Sequence, residues 1–222
     1  MKTSYFLRVW IFLGAVFLCT INPAVAVQFG FVDIPDTDTP AIDIAGNFIG
    51  EVSSDVGGKV LFTISNQGPI TSFIRQIFWE FEGDLLSDGV YNDENEVEVT
   101  ALGGVNFKFD SPVNNPPQGN AISFSANLEA IADQGGSAKQ GVDVGETAAF
   151  LFDGDFFEIL EEMSYGRLRI AIHAQGITFD SIVGESDSYV NTQPVPEPST
   201  VLLLGGGLLG LAAFGRKKFF KK

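Results

Sequence analysis

The chain has 222 residues, and its charges are spread very unevenly along them. Seven of the 13 Lys and Arg residues lie in the first eight or the last seven positions, whereas 27 of the 28 Asp and Glu residues lie within 27–195, which leaves that stretch with a net charge of −21. So acidic a segment is not a nucleic-acid binder, because phosphate contacts need clustered Lys and Arg. With 45% hydrophobic residues and 21 Phe, the chain can also build a sizeable core, which excludes a disordered protein.

The amino-terminal residues have the pattern of a cleaved export signal. Two basic residues flank a short stretch before an almost wholly apolar run, residues 9–19, which is shorter than the roughly 20 residues that a spanning helix needs. Ala24 and Ala26 supply the small residues that signal peptidase requires at −3 and −1. We therefore predict a signal peptide over 1–26 and a mature chain that begins at Val27.

The middle of the chain, 27–191, alternates short apolar runs with turn-forming Gly, Pro, Asn and Asp. Several runs show the two-residue alternation of a strand, as in Leu168, Ile170 and Ile172. Only the run 156–163 has the spacing of a short helix. We predict an all-β domain, an antiparallel β-sandwich of the jelly-roll or immunoglobulin-like kind with one short helix. Its predicted strands are, in chain order, 48–52, 59–65, 74–81, 97–101, 105–109, 122–128, 148–152, 167–173 and 178–183.

Residues that could carry chemistry are few in this domain. His173 is the only histidine, and Cys19, the only cysteine, lies inside the predicted signal peptide. No Gly-x-Ser-x-Gly motif accompanies the histidine, and a zinc site would lack ligands. Carboxylate pairs that could hydrolyse a glycoside exist, but none of them stands out from a solvated surface. These pairs are Glu80/Glu82, Glu96/Glu98 and Glu161/Glu162. We predict no catalytic residue and interpret His173 as structural.

Calcium is the one cofactor that the acidic loops leave open. Asp84, Asp88, Asp93 and Glu94 fall within one predicted loop, and carboxylate oxygens are the ligands that Ca²⁺ prefers. The loop lacks the D-x-[DN]-x-[DN]-G spacing of an EF-hand. We therefore state a calcium site at these four residues as a prediction, and no other cofactor is indicated.

The carboxyl-terminal residues fall into three successive parts. A linker, 192–198, ends in Pro196-Glu197-Pro198, and an apolar stretch follows over 199–215. As a helix these 17 residues span about 25 Å, a little less than the hydrocarbon core of about 30 Å, and long basic side chains at the end can close the gap. We predict a transmembrane segment at 199–215 and a basic cytoplasmic tail at 216–222, with the acidic domain outside. The cations that stop translocation are Arg216, Lys217 and Lys218, followed by Lys221 and Lys222.

This order of a proline-bracketed glutamate, a Gly-rich apolar stretch and a basic cluster resembles the PEP-CTERM sorting signal of Gram-negative bacteria, over residues 195–222. The resemblance implies an inner-membrane intermediate that an exosortase recognises, besides the signal peptidase that trims the other end. It also implies a final place at the cell surface or in the extracellular matrix, where bearers of the signal are often linked to exopolysaccharide and biofilm. The Leu-Pro-x-Thr-Gly motif of a Gram-positive sortase substrate is absent.

Two functions are compatible with this sequence. The first is a non-enzymatic exported protein of the cell surface or matrix, whose Pro196, Glu197 and Pro198 are the recognition element for sorting. The alternative is a carbohydrate-binding module or weak glycan hydrolase of the exopolysaccharide layer, with Trp79 or Tyr91 as a stacking platform. Because Trp79 lies within the apolar run Phe-Trp-Glu-Phe, we expect it in the core and favour the first function.

Overall fold

The computed structural model describes residues 26–35, 43–54, 58–91, 105–132 and 141–195. These residues form twelve strands, two short 3₁₀ turns and one α-helix. The strands are β1 (Ala26–Phe29), β2 (Phe31–Asp33), β3 (Phe48–Ser54), β4 (Lys59–Asn66), β5 (Thr71–Glu80), β6 (Ser87–Tyr91), β7 (Phe107–Phe109), β8 (Leu128–Ala132), β9 (Val142–Asp143), β10 (Glu146–Asp153), β11 (Arg169–Phe179) and β12 (Ile182–Asn191), and the helix is α1 (Phe156–Ser164).

The strands form two antiparallel sheets that pack face to face. The first sheet has the order β1-β3-β4-β10-β6, and the second has the order β2-β12-β11-β5-β8-β7, with β9 also paired to β5. One hydrophobic core joins side chains from both sheets. The predicted antiparallel β-sandwich with one short helix is thus confirmed for the described residues.

The core follows from strands whose apolar residues alternate. In β4, Val60, Phe62 and Ile64 are buried while the residues between them are half-exposed, as the two-residue period of a strand requires. Opposite this sheet, Trp79 of β5 is fully buried, and its ring centroid lies 4.9 Å from that of Phe150 in β10. These contacts between the sheets confirm the expectation that Trp79 belongs to the core.

The predicted helix is present as α1 and begins at a well-capped end. Asp155 precedes it in extended conformation, and its Oδ1 accepts hydrogen bonds from the backbone N–H groups of Phe157 and Glu158, both at 2.9 Å. Ile159 and Met163, four residues apart, are buried against the sandwich. The helix therefore covers one part of the core with a single apolar stripe.

One predicted strand, 122–128, is wrong, and the reason lies on the outer face of the second sheet. Residues 110–127, the cover segment, lie across that face, and only Leu128 begins β8. Phe124 of the cover segment is buried against Phe78 and Ala171, with Ile122 and Ala126 packed beside it. The alternation of Ile122, Phe124 and Ala126 thus reflects contact with a sheet rather than membership of one.

Two polar anchors hold the cover segment in place. The guanidinium of Arg169 forms an ion pair with Glu80 and donates to the carbonyl oxygens of Ile122 and Ser123, each at 2.9 Å. The buried carboxylate of Glu129 accepts from the side chain of Gln76 at 2.7 Å and from the backbone N–H of Asn114 at 2.8 Å. The part of the outer face that lies under the cover segment is consequently buried.

The remaining strand predictions differ mainly in their ends. The predicted strand 178–183 contains a turn, because β11 ends at Phe179, β12 begins at Ile182, and Asp180 between them has a positive φ of 53°. A short polar turn inside an apolar run joins two long strands into a hairpin. The predicted strand 97–101 lies outside the described residues.

Candidate functional site

The amino-terminal strand of the domain runs through both sheets. β1 belongs to the first sheet and β2 to the second, and Gly30 separates them at the point where the chain changes sheet. Phe29 is buried beside Gly50 of β3, where any β-carbon would overlap its ring. Because this close contact requires glycine, we infer that β1 is fixed firmly to β3 even though it is only four residues long.

The carboxyl-terminal part of the described chain runs antiparallel along this whole strand. In β12, Tyr189, Val190 and Asn191 pair with Asp33, Val32 and Phe31 of β2. Beyond β12, the backbone N–H of Thr192 donates to the carbonyl of Gly30 at 2.9 Å, and the N–H of Gly30 donates back to the Thr192 hydroxyl oxygen at 3.0 Å. The carboxyl-terminal residues therefore pair first with β2 of the second sheet and then, beyond Gly30, with β1 of the first sheet.

The last described residue is fixed in the same way. The backbone N–H of Val195 donates to the carbonyl of Gln28 at 2.8 Å, in an antiparallel bridge with β1. The side chain of Gln193 donates to the carbonyl of Ser164, the last residue of α1, at 2.9 Å. Residues 192–195, which belong to the predicted linker 192–198, are thus tied both to β1 and to the end of the helix. We call β1 together with residues 192–195 and the carboxyl end of α1 the exit pole.

In an antiparallel pair the two chains leave in opposite senses, so the residues before Gln28 and after Val195 depart on the same side. Ala26, the predicted −1 residue for signal peptidase, is the first residue of β1 and pairs with Ser53. The predicted export signal and the predicted tail therefore adjoin the folded domain at one place.

Comparison with known protein families decides what this tail is. Residues 194–218 match the family described as the PEP-CTERM protein-sorting motif. The chain carries a PEP-CTERM sorting motif. Such a motif marks an exported protein that an exosortase processes at the membrane. Searches of curated proteins and of solved structures return no significant match.

The matched PEP-CTERM motif overlaps the folded domain by two residues. Pro194 and Val195 are described, and Val195 is the residue bonded to Gln28. Three sets of predicted residues lie outside the described residues: the recognition residues Pro196, Glu197 and Pro198, the basic cluster Arg216, Lys217 and Lys218, and Ala24 of the predicted signal peptide. No helix among the described residues is long and apolar enough to cross a bilayer, and the predicted span 199–215 is not among them.

The described residues include only two of the four residues of the predicted calcium site. Asp84 and Asp88 are exposed in the described chain, whereas Asp93 and Glu94 lie outside the described residues. Within the described ranges, no group of three or more His, Cys, Asp or Glu side chains could hold a metal ion. The calcium site therefore stays a prediction.

His173 lies in the middle of β11, not at a strand end, on the buried outer face of the second sheet. Its Nδ1 lies 3.1 Å from the hydroxyl oxygen of Ser188, the residue opposite it in β12. Burial, more than the nearby charge of Arg75, lowers the pKa of His173 below its ordinary value of 6.5, while a hydrogen bond with the Asp187 backbone opposes this effect. A neutral, hydrogen-bonded imidazole inside a sheet is a packing element, consistent with the structural interpretation.

This lowered pKa makes a pH-dependent contribution to stability. The unfolded chain binds a proton at His173 more readily than the folded chain, so we expect the free energy of unfolding to fall as the pH drops below about 6.5. The slope from one proton is at most about 1.4 kcal/mol per pH unit. Urea unfolding of the wild type and of His173→Gln between pH 7.5 and 5.5 would measure it. Equal slopes in the two proteins would show that His173 contributes nothing.

Of the other sequence candidates for chemistry, Glu80 and Trp79 take part in structure. Glu82 and Glu161 are exposed, and Glu96 and Glu98 lie outside the described residues. Glu80 accepts from Arg169 and, through Oε1, from the Ser125 backbone N–H at 3.0 Å, and Glu82 lies beyond the end of β5. Trp79 is fully buried, and nothing is described of the Tyr91 side chain. Trp79 therefore cannot be part of the stacking platform of the alternative function.

The contact partners of residues 192–195 could not be predicted from the sequence. Thr192 and Gly30 form a reciprocal pair of hydrogen bonds although 162 positions separate them. The one local signal is Gly30 itself, a glycine between Phe29 and Phe31 in an apolar run, which is typical of a strand that bends or changes sheets.

Proposed function

We propose that this protein is a non-enzymatic exported protein of the cell surface or extracellular matrix, and that an exosortase processes its carboxyl-terminal tail. The match of residues 194–218 to the PEP-CTERM sorting motif carries this proposal. The acidic β-sandwich is then the cargo, and the tail directs where the cargo goes. The net charge of −21 over 27–195 suits a soluble, self-repelling surface protein.

Each part of the tail has a physical role in this proposal. The prolines on either side of Glu197 disfavour helix at the residues before them and present an extended peptide to the enzyme. The apolar stretch 199–215 holds the substrate in the inner membrane. The basic residues 216–222 stay in the cytoplasm and stop translocation.

The absence of an activity in the domain is part of the proposal. Among the described residues, Arg169 and Glu129 hold the cover segment, and the His173 side chain bonds to Ser188 of the neighbouring strand. Exopolysaccharide remains the proposed surroundings of the mature protein, as a partner of its acidic surface. No observation on the described residues favours glycan hydrolysis or a stacking platform over this function.

A tail transfer tests the proposal directly. We expect residues 195–222, fused behind an exported reporter, to be trimmed in a host that has the exosortase and retained at full length in the membrane of a host that lacks it. Intact mass and membrane fractionation are the measurements. The matched control carries Glu197→Gln and keeps both prolines, the apolar stretch and the cations, and it should stay untrimmed in both hosts. A reporter of identical mass and location in the two hosts contradicts the proposal.

A further inference from the structure

Only a short length of chain joins the exit pole to the predicted membrane-spanning stretch. We propose that this pole faces the lipid headgroups, with Tyr165 at its rim in contact with them, while the tail is still in the membrane. The inference rests on the proposed function, because it takes 199–215 as the membrane-spanning stretch. Its partner is a zwitterionic lipid surface, and its basis is the length of chain that leaves the folded domain.

The first step is the reach of the chain. Val195 is held at the surface by its hydrogen bond to Gln28, and the apolar stretch begins four residues later, at Ser199. Four fully extended residues span at most about 14 Å. Of this distance, the headgroup layer of one leaflet takes about 5–8 Å. The surface around Val195 must therefore lie within about 6–9 Å of the headgroups.

The second step is that the exit is tied at more than one point. Thr192 is bonded to Gly30, Gln193 to the carboxyl end of α1, and Val195 to β1. A chain held by one bond could swivel, but these three attachments fix the direction in which it leaves. The orientation of the domain is thereby coupled to the orientation of the tail.

The third step concerns the surface that this orientation places next to the membrane. Tyr165 directly follows Ser164, the residue bonded to Gln193, and 63% of Tyr165 is exposed, as is 63% of Val195. Tyrosine favours the headgroup level, where its ring is shielded and its hydroxyl stays hydrated. The Arg167 guanidinium lies 4.5 Å from the Tyr165 ring centroid. The ring and the cation together provide an interfacial contact.

The charges around the pole select the kind of lipid. Helix α1 carries Glu158, Glu161 and Glu162, and Arg167 forms an ion pair with Glu162 at 2.6 Å. One cation against three carboxylates leaves the helix acidic, so an anionic lipid surface would repel it. A zwitterionic headgroup has no net charge and accepts both the acidic helix and the tyrosine.

The opposite pole supplies an internal reference. The β11–β12 hairpin turns at Asp180, and Val183 beside the turn is 74% exposed. The nine steps of β12 between Ile182 and Asn191 cover about 30 Å at 3.3 Å each. A probe at Val183 should therefore lie far from the bilayer when a probe at Tyr165 touches it.

The experiment measures the depth of these two positions. The chain, carrying Cys19→Ser and either Tyr165→Cys or Val183→Cys, is purified from membranes of a host that lacks exosortase. It is labelled with a fluorophore and reconstituted in phosphatidylcholine vesicles that contain lipids with a headgroup quencher. We expect several-fold stronger quenching at position 165 than at position 183. Equal quenching, or stronger quenching at 183, overturns the proposal while the protein still floats with the vesicles.

Two further measurements distinguish failure of this proposal from failure of the proposed function on which it rests. Protein that does not float with the vesicles would refute both the membrane-held tail and the orientation that depends on it. A ten-residue Gly-Ser insertion between Val195 and Pro196 adds about 17–19 Å of root-mean-square reach. It should reduce the quenching at 165 to the level at 183. Undiminished quenching in this variant contradicts the claim that the short tether sets the orientation.

Discussion

Replacing Trp79 by Ala should lower the free energy of unfolding by about 3–5 kcal/mol, the range for removal of a large buried aromatic side chain. Trp79 is fully buried between the sheets. Its ring centroid lies 4.9 Å from that of Phe150, 5.5 Å from that of Phe152 and 6.1 Å from that of Phe109. The substitution therefore leaves a cavity at the contact between the two sheets, where three aromatic rings lose a partner.

Trp79→Phe is the matched control, and we expect it to cost much less. The indole Nε1 of Trp79 is buried and has no hydrogen-bond partner in the described structure, so phenylalanine removes an unsatisfied donor together with part of the volume. Urea unfolding followed by far-ultraviolet circular dichroism measures both variants. A cost of Trp79→Ala no larger than that of Trp79→Phe would contradict the central place of this residue in the core.

Replacing Arg169 by Met should cost about 2–3 kcal/mol, because it removes several charge-assisted contacts at once. The side chain bonds Glu80 and two carbonyls of the cover segment, and its guanidinium carbon lies 5.1 Å from the centroid of the Phe124 ring. Without it, the half-buried Glu80 carboxylate loses its cation, and the cover segment loses its main attachment. Amide exchange within 119–125 should rise more than exchange in β4.

Arg167 offers a control of the same residue type two positions away. It also forms an ion pair with a carboxylate, but Arg167 is exposed, and its partners are Glu162 near the end of the helix and the exposed ring of Tyr165. Surface pairs of this kind contribute little, so Arg167→Met should unfold close to the wild type. Equal losses in the two variants would show that charge, and not attachment of the cover segment, decides the effect.

Local sequence patterns predicted what local physics controls. The alternation in β4 and the spacing of α1, with Asp155 ready to cap it, follow from residues that are neighbours in the chain. The strand predicted at 122–128 is wrong because a period of two also arises when a loop packs on a sheet. The course of the cover segment depends on Arg169, about 45 residues away, and on a positive φ at Ser123, which that residue type rarely adopts.

The tail shows the same division between local and distant information. The PEP-CTERM motif could be recognised because its parts are contiguous, and the match to 194–218 confirms it. The attachments of Thr192 to Gly30 and of Val195 to Gln28 could not be predicted, because each joins residues more than 160 positions apart. No periodicity within either segment specifies such a partner.

The order of strands in the second sheet has a consequence for export. β12 lies between β2 and β11, so the last described strand to be synthesised is inserted beside β2, the first strand of the same sheet in chain order. Until β12 has crossed the membrane, β2 lacks the strand with which it pairs among the described residues, and β11 has an open edge. Under the proposed function, in which 199–215 spans the membrane, completion of the sheet would coincide with arrival of the apolar tail in the bilayer.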